Sequence, residues 1–242
     1  MVFDQDGYDV RFEWGLDGAV ALGRACDAIV IVDVMSFTTC VSFAVGRGAI
    51  VYPARARDAD TATFAASVGA TVAGPRASSG FSLSPSSFAD VARGARVVLP
   101  SPNGATIAIA TGATPTFAGS LRNARAAALA ASRCGPRVGV VAAGERWKEN
   151  GALRPALEDV VGAGAIVTRL RGSWSPEARL AAAAFRDAAS DLAALLSECG
   201  SGRELREMGF ARDLALIAEL DADDVAPMLA DGAFSSAAGG DE

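Results

Sequence analysis

The chain has 242 residues, 51% of them hydrophobic, with 22 Lys and Arg against 28 Asp and Glu and a net charge of −6. That length can bury a substantial core in one large domain or two small ones, and the negative balance argues against a protein whose main task is gripping nucleic acid or an anionic membrane. Histidine is absent, which excludes a Ser-His-Asp triad, phosphohistidine chemistry and histidine-ligated zinc, and Lys148 is the only lysine, so anion contacts fall to arginine, whose planar fork suits phosphate, sulfonate and carboxylate.

Cys26, Cys40, Cys134 and Cys199 are widely spaced and form no C-x-x-C pair, as expected of small buried thiols in a reducing cytoplasm. The first residues lack the basic start and apolar run of a signal peptide. No stretch reaches the ~18 apolar residues of a membrane span. A soluble cytoplasmic protein is therefore expected.

In chain order, residues 10–14 read as a strand, 17–25 as a short amphipathic helix, and 28–32 as a strand buried on both faces. That strand delivers Asp33, followed by Ser36, Thr38, Thr39 and a small-residue apolar helix over 41–45. In an open α/β sheet, ligands bind beyond the carboxyl ends of strands. Free N–H groups at a helix start suit an anion, and the acid suits a hard cation such as Mg²⁺. A plainer reading makes Asp33 a turn residue and the hydroxyls helix caps.

Residues 49–52 form the next strand, ended by Pro53, with a helix from about 55 to 68 and a short strand at 70–73. The Ser/Gly/Pro-rich stretch 74–85 is a surface loop long enough to serve as a lid. A strand at 96–100 leads to Asn103-Gly104, read as the cap of a helix over 107–111. After a strand at 116–119, Ser120-Leu121-Arg122-Asn123 opens a helix to 133, and a buried strand at 137–143 ends in Gly144-Glu145-Arg146. Residues 148–155 are a loop. Glu158 and Asp159 then fall in the first turn of a helix, where acids complement the dipole. Gly162 and Gly164 cost that helix roughly 1 kcal/mol each, so another backbone is expected to approach closely. A long helix from Ser175-Pro176 carries Leu180, Ala184, Ala188, Leu192 and Leu196 as a core stripe and stops at Gly200. Short helices at 203–208 and 210–220 precede a flexible tail, 231–242.

Four polar groups follow predicted buried strands: Asp33 with Ser36, Thr38 and Thr39; Ser101 with Asn103; Ser120 with Arg122 and Asn123; and Glu145 with Arg146. Strand ends on one edge of a parallel sheet let such groups converge. Carboxylates for a cation, helix starts for an anion and arginines for further negative charge are the equipment of metal-assisted chemistry on a phosphate ester.

The motifs Asp33-Val34-x-x-x-Thr38-Thr39, Asn103-Gly104-Ala105-Thr106, Gly119-Ser120-Leu121-x-Asn123-Ala124, Leu157-Glu158-Asp159-x-x-Gly162-Ala163-Gly164 and Gly209-Phe210-x-x-Asp213-Leu214 occur in this order. Together they resemble the 2-phosphosulfolactate phosphatases over about residues 28–230. The resemblance implies a Mg²⁺-dependent hydrolase releasing phosphate from 2-phospho-3-sulfolactate. It also implies a three-layer α/β/α fold with a largely parallel or mixed sheet, built as one unit over 8–230 with lobes of about 8–113 and 114–230 and the site between them. On that reading Asp33, Glu158 and Asp159 hold Mg²⁺ and Asp33 and Glu145 are catalytic, Glu145 as general base. Thr38, Thr39, Asn103, Gly104, Ser120, Arg122, Asn123 and Arg146 bind the substrate, a small phosphate ester. A homodimer is left open, and neither nucleic acid nor membrane is expected as a partner.

Two departures stand out. Members of the family read Asp-Val-Leu-Arg-Ala-Thr-Thr at the first motif, where this chain has Ser36-Phe37 in place of Arg-Ala, and an acid and an asparagine are missing from the stretch Gly80-Phe81-Ser82-Leu83-Ser84-Pro85-Ser86. Arg146 or Arg122 is the expected substitute for the arginine. The competing reading is a non-catalytic protein that binds a phosphorylated or sulfonated acid. A dinucleotide-binding oxidoreductase is disfavoured, because no G-x-G-x-x-G follows the strand ending at Val32.

Overall fold

The structure, a computed structural model, describes residues 2–236. The first half of the chain gives β1 (Val10–Trp14), α1 (Gly15–Gly23), β2 (Ala28–Val32), α2 (Phe37–Gly46), β3 (Ile50–Ala54), α3 (Ala59–Ser67), β4 (Thr71–Val72), β5 (Arg96–Pro100) and α4 (Gly104–Ala110). The second half gives β6 (Thr116–Gly119), α5 (Ala124–Cys134), β7 (Val138–Ala142), β8 (Glu145–Arg146), β9 (Leu153–Arg154), α6 (Leu157–Val167), α7 (Pro176–Ala188), α8 (Leu192–Glu198), α9 (Gly200–Glu207), α10 (Ala211–Ile217), β10 (Pro227–Ala230) and β11 (Ala233–Ser236).

Nine strands form one mixed sheet in the order β1-β7-β2-β6-β10-β11-β3-β5-β4. Strands β1, β7, β2 and β6 run parallel, as do β3, β5 and β4. The hairpin β10–β11 lies antiparallel between the two runs. The sheet crosses residue 113 without a break, since β1 and β2 pair with β7 and β6 from later in the chain. Side-chain alternation along β2 splits the core into layers. Ile29 and Ile31 pack with Leu22 of α1, Val41 of α2 and Ala105 of α4, and Val30 and Val32 pack with Ala127 of α5 and Ile166 of α6. The α/β/α expectation holds.

Several local expectations are corrected. Helix α2 starts at Phe37, not 41, because Asp33 supplies acceptors for its first donors: Phe37 N–H reaches Asp33 Oδ1 at 3.1 Å and Thr38 N–H reaches the Asp33 carbonyl at 3.0 Å. Strand β3 runs through Pro53. It pairs fully with β5 but meets β11 only at Val51, so the missing N–H of Pro53 falls where no ladder bond is required. The stretch 148–155 contains β9, which closes a small hairpin with β8.

The long helix predicted after Ser175 is two. Asp191 caps α8 by accepting from Ala194 N–H, and Leu180 is 71% exposed, while Ala178, Ala181, Ala182, Phe185 and Ala188 form the buried face. The reason is the close approach that the α6 glycines signalled: a Cβ on Gly164 would lie 2.0 Å from the Ala181 carbonyl oxygen. Only small residues fit such a seam. Gly164→Ala is therefore expected to lower stability by about 2 kcal/mol or more, the clash outweighing the ~1 kcal/mol helix gain, as read by thermal melting; an unchanged melting temperature would mean that the helices part without cost.

The predicted tail is also corrected. Residues 233–236 are strand β11, and the buried Phe234 meets Phe37 edge-on with ring centroids 6.1 Å apart. The signal was Asp231-Gly232, both at positive φ (50° and 78°), between apolar strand residues. The rest of that tail, 237–242, lies outside the described residues. Among the described residues no helix is long and apolar enough to cross a membrane.

Candidate active site

Asp33 sits just past β2, buried, with both oxygens held by backbone. Oδ1 accepts from Phe37 N–H and Oδ2 from Gly104 N–H at 2.9 Å. The second bond demands glycine, since a Cβ at Gly104 would fall 2.5 Å from the Phe37 ring and 2.6 Å from Asp33 Oδ2. The turn after β2 is closed by Thr38, whose hydroxyl donates to the Asp33 carbonyl at 2.8 Å and accepts from Asp33 N–H at 2.9 Å. The Thr39 hydroxyl donates to the Val34 carbonyl at 2.8 Å.

Asp159, in the first turn of α6, also works through backbone. Its oxygens accept from Val34 N–H and Gly144 N–H, each at 2.8 Å, tying the ends of β2 and β7 to α6. Its neighbour Glu158 is buried and accepts a long hydrogen bond, 3.5 Å, from the Cys199 thiol. That thiol is pushed up to about 11 by burial and by the Glu158 charge, so it stays protonated as donor. Glu145, at the start of β8, accepts from the Asn103 side-chain amide. Asn103 precedes α4, as expected of a cap, but spends its amide on Glu145 and makes no cap bond.

These four carboxylates repel one another. Burial, then the charge of Glu158, raises Asp33 to about 6 against hydrogen bonds that lower it. Asp159 is raised well above the usual carboxylate range by burial and by the Asp33 and Glu158 charges. Glu145 is raised by burial and by the same two neighbours. None of the four has an ion-pair partner among the described residues. Nor do three His, Cys, Asp or Glu side chains among those residues come together as a metal-holding group, so the expected trio Asp33, Glu158 and Asp159 is not preformed as three ligands to one ion. Glu145 opens onto a cleft of about 380 Å³ whose walls carry Arg146, Lys148, Arg154 and Arg203 together with Glu149, Glu204 and Glu207.

Other expected substrate contacts prove to be internal. Thr38 and Thr39 are fully buried and brace the Asp33 turn. Asn123 Oδ1 accepts from Ser120 N–H (2.8 Å) and from the Ser120 hydroxyl (3.0 Å), a capping arrangement with both residues fully buried. Arg122 is buried in a bidentate pair with Asp223, both bonds 2.9 Å, with further bonds to Glu219 and the Leu216 carbonyl. Arg146 is exposed and donates to the Gly151 carbonyl at 3.0 Å. Neither Arg122 nor Arg146 takes the place of an arginine at position 36.

A side chain missed from sequence does reach that position. Arg76, the only arginine of the loop 74–85, donates to the Ser36 hydroxyl (Nη2, 3.0 Å) and to Asp213 (Nη1, 3.2 Å). Its partner Asp213 is buried and also accepts from the Ser86 hydroxyl at 2.8 Å. Forty residues separate Arg76 from Ser36, and no local pattern links them.

A family model described as 2-phosphosulpholactate phosphatase matches residues 19–232. No curated protein matches the chain.

Proposed function

The chain belongs to the 2-phosphosulpholactate phosphatase family, and from that premise we propose a Mg²⁺-dependent hydrolase of a small, multiply anionic phosphate ester, with 2-phospho-3-sulfolactate as the family expectation. The family description supports phosphatase activity in general. The metal and the substrate are our reading. The observation that carries the metal is the gathering of Asp33, Glu145, Glu158 and Asp159 within electrostatic reach of one another with no cation paired to them.

The donor set fits Mg²⁺. Hard carboxylate oxygens are its ligands, and it is commonly held by only one or two of them while water and substrate phosphate complete the shell, so a preformed trio is not required. Asp33 and Glu158 would hold it, with Asp159 as the brace that keeps β2, β7 and α6 in register. When bound, the ion neutralises phosphoryl charge and lowers the pKa of water.

The chain's own residues supply the rest. The backbone N–H groups of Phe37 and Gly104 fix the Asp33 carboxylate before substrate arrives, a preorganisation that needs no rearrangement during reaction. Glu145, oriented by the Asn103 amide and raised above the usual carboxylate value by burial and the neighbouring acids, is our candidate to take a proton from the attacking water. The adjoining cleft offers Arg146, Arg154 and Arg203 as donors for an anion, while its Lys148 is paired with Glu204 and its Glu149 and Glu207 offset the positive charge.

Phosphate release from the purified chain, measured over a panel of phospho-acids that includes 2-phosphosulfolactate, tests this reading. Release in Mg²⁺ and its loss in EDTA are expected. Tight binding of these acids without turnover would instead favour the non-catalytic reading, which the loss of the first-motif arginine motivates.

A further inference from the structure

We propose that a cavity of about 560 Å³ at the far end of α2 is a second ligand site, taking a small organic molecule with two or more phosphate or carboxylate groups. Its wall carries Arg47 after α2, Arg93 from the turn before β5 and Arg133 from the last turn of α5. The cavity is separate from the carboxylates of the candidate active site. Asp33 accepts from Phe37 N–H at the start of α2, whereas Arg47 follows the end of that ten-residue helix, roughly 15 Å away at the rise of an α-helix. The proposal therefore stands whether or not the phosphate-ester reading does.

The arginines are placed by packing. The Arg47 guanidinium lies over the Phe43 ring, 3.5 Å from its centroid, and Nη1 donates to the Phe43 carbonyl at 3.1 Å. That fixes its plane and leaves its other donors unpaired among the described residues. Gly48, at φ 87°, turns the chain back, and its carbonyl accepts from Gly94 N–H at 2.8 Å. A Cβ on Gly48 would lie 3.0 Å from Arg93 Cγ, so the stem of Arg93 runs over the glycine and reaches the same wall as Arg47.

The positive charge is not offset inside the cavity. Two acids line it, and both are already paired: Asp223 takes two bonds from Arg122, each 2.9 Å, and Asp224 takes one from Arg125 at 2.8 Å. Among the described residues, Arg47, Arg93 and Arg133 have no acid partner. Arg47 and Arg133 also complement the C-terminal dipoles of α2 and α5. That accounts for a cation at each helix end but not for the convergence of both with Arg93 on one cavity. Arginine's planar fork suits phosphate and carboxylate alike, and three forks on three elements call for more than one anionic group. Leu129, 56% exposed, and Val225 give the cavity an apolar side for the short hydrocarbon that joins those groups.

The experiment titrates inorganic pyrophosphate and citrate into the full chain by calorimetry, in metal-free buffer without EDTA, which is itself a polyanion. Wild type is expected to bind at least one probe. Arg93→Ala/Arg133→Ala should lose at least tenfold in affinity while keeping the melting temperature and any ester turnover of wild type. Arg179→Ala/Arg186→Ala, which removes the same charge from α7, should bind as wild type does. Binding of pyrophosphate alone supports the site and names its groups as phosphates; binding of citrate alone supports it and names them as carboxylates. A wild type that binds neither probe overturns the proposal, as does wild-type affinity in Arg93→Ala/Arg133→Ala. So does an equal loss in the α7 variant, which would mean attraction to net charge alone. A loss confined to Arg146→Ala/Arg203→Ala would place the probe in the cleft beside Glu145 and overturn it too. Ester turnover is not among these criteria, so a failure of the phosphatase reading is told apart from a failure of this one.

Discussion

Asp33→Asn is expected to lower ester turnover by about 10³-fold while leaving the melting temperature within a few degrees of wild type. The loss follows from removing the charged oxygen that faces both the proposed ion and the helix start, where electrostatic stabilisation is worth several kcal/mol. Stability survives because two effects oppose. Asparagine keeps one acceptor and sets its NH₂ against one of the two N–H donors, Phe37 or Gly104, a cost of about 1–3 kcal/mol. Against that, the repulsion from Glu158 and the burial of a charge disappear. Unchanged turnover in the variant would remove Asp33 from the chemistry.

The same carboxylate sets the sign of the pH dependence. Moving Asp33 from 3.8 in the unfolded chain to about 6 in the folded one means that the native state binds more protons between those values. The shift destabilises the metal-free protein by about 3 kcal/mol once both states are ionised, and the penalty is relieved as pH falls through 6 toward 4. Asp159 and Glu145, also raised, act in the same direction. In EDTA the melting temperature should therefore rise from pH 7.5 to pH 5. Mg²⁺ should flatten that rise by stabilising the charged forms, and Asp33→Asn should shrink it. A melting temperature that falls over this range in EDTA would mean that the four acids are not the repelling group described.

Arg122→Ala carries the largest expected loss of stability, about 3–5 kcal/mol, the usual result of stranding a buried partner. Asp223 would keep only the Ser42 hydroxyl, at 2.8 Å, and the Leu216 carbonyl would lose its donor. For a chain of this length that corresponds to a fall of about 10 °C in melting temperature. The folded fraction should retain kcat/KM within a few-fold, because all of the Arg122 bonds run to Asp223, Glu219 and Leu216 and none to the carboxylates of the site. A hundredfold rise in KM at unchanged melting temperature would return Arg122 to the substrate.

How far the sequence carried the fold depended on the range of the interactions involved. β2 was readable because five apolar residues buried on both faces leave a pattern in five positions. The seam between α6 and α7 was readable from one side, since Gly164 is costly in a helix without a close neighbour, whereas Gly162 is closed over by the side chains of Val32 and Val34. The other side was readable in part: Ala188, Leu192 and Leu196 are buried as expected, but Leu180 is exposed, and close approach selects Ala178, Ala181 and Ala182 on α7. At the site, the positions of Asp33, Asn103, Glu145, Glu158 and Asp159 followed from strand ends and motifs. What their polar neighbours do did not follow, because a hydroxyl or amide beyond a strand serves equally as ligand contact or backbone brace. Thr38, Thr39, Ser120 and Asn123 turned out to be braces. Arg76 was invisible for the opposite reason, its meaning lying in a partner forty residues away.

The hairpin β10–β11 has a consequence for how the molecule is made. During synthesis the two parallel runs exist before the strands that join them, so β6 and β3 each wait with an open edge, a template for pairing with a neighbouring chain. Residues 227–236 cover both edges at once, β10 pairing with β6 and β11 with β3. Changes that unseat this hairpin would thus be expected to act first on solubility, by baring the edges of β6 and β3, rather than on the chemistry at Asp33.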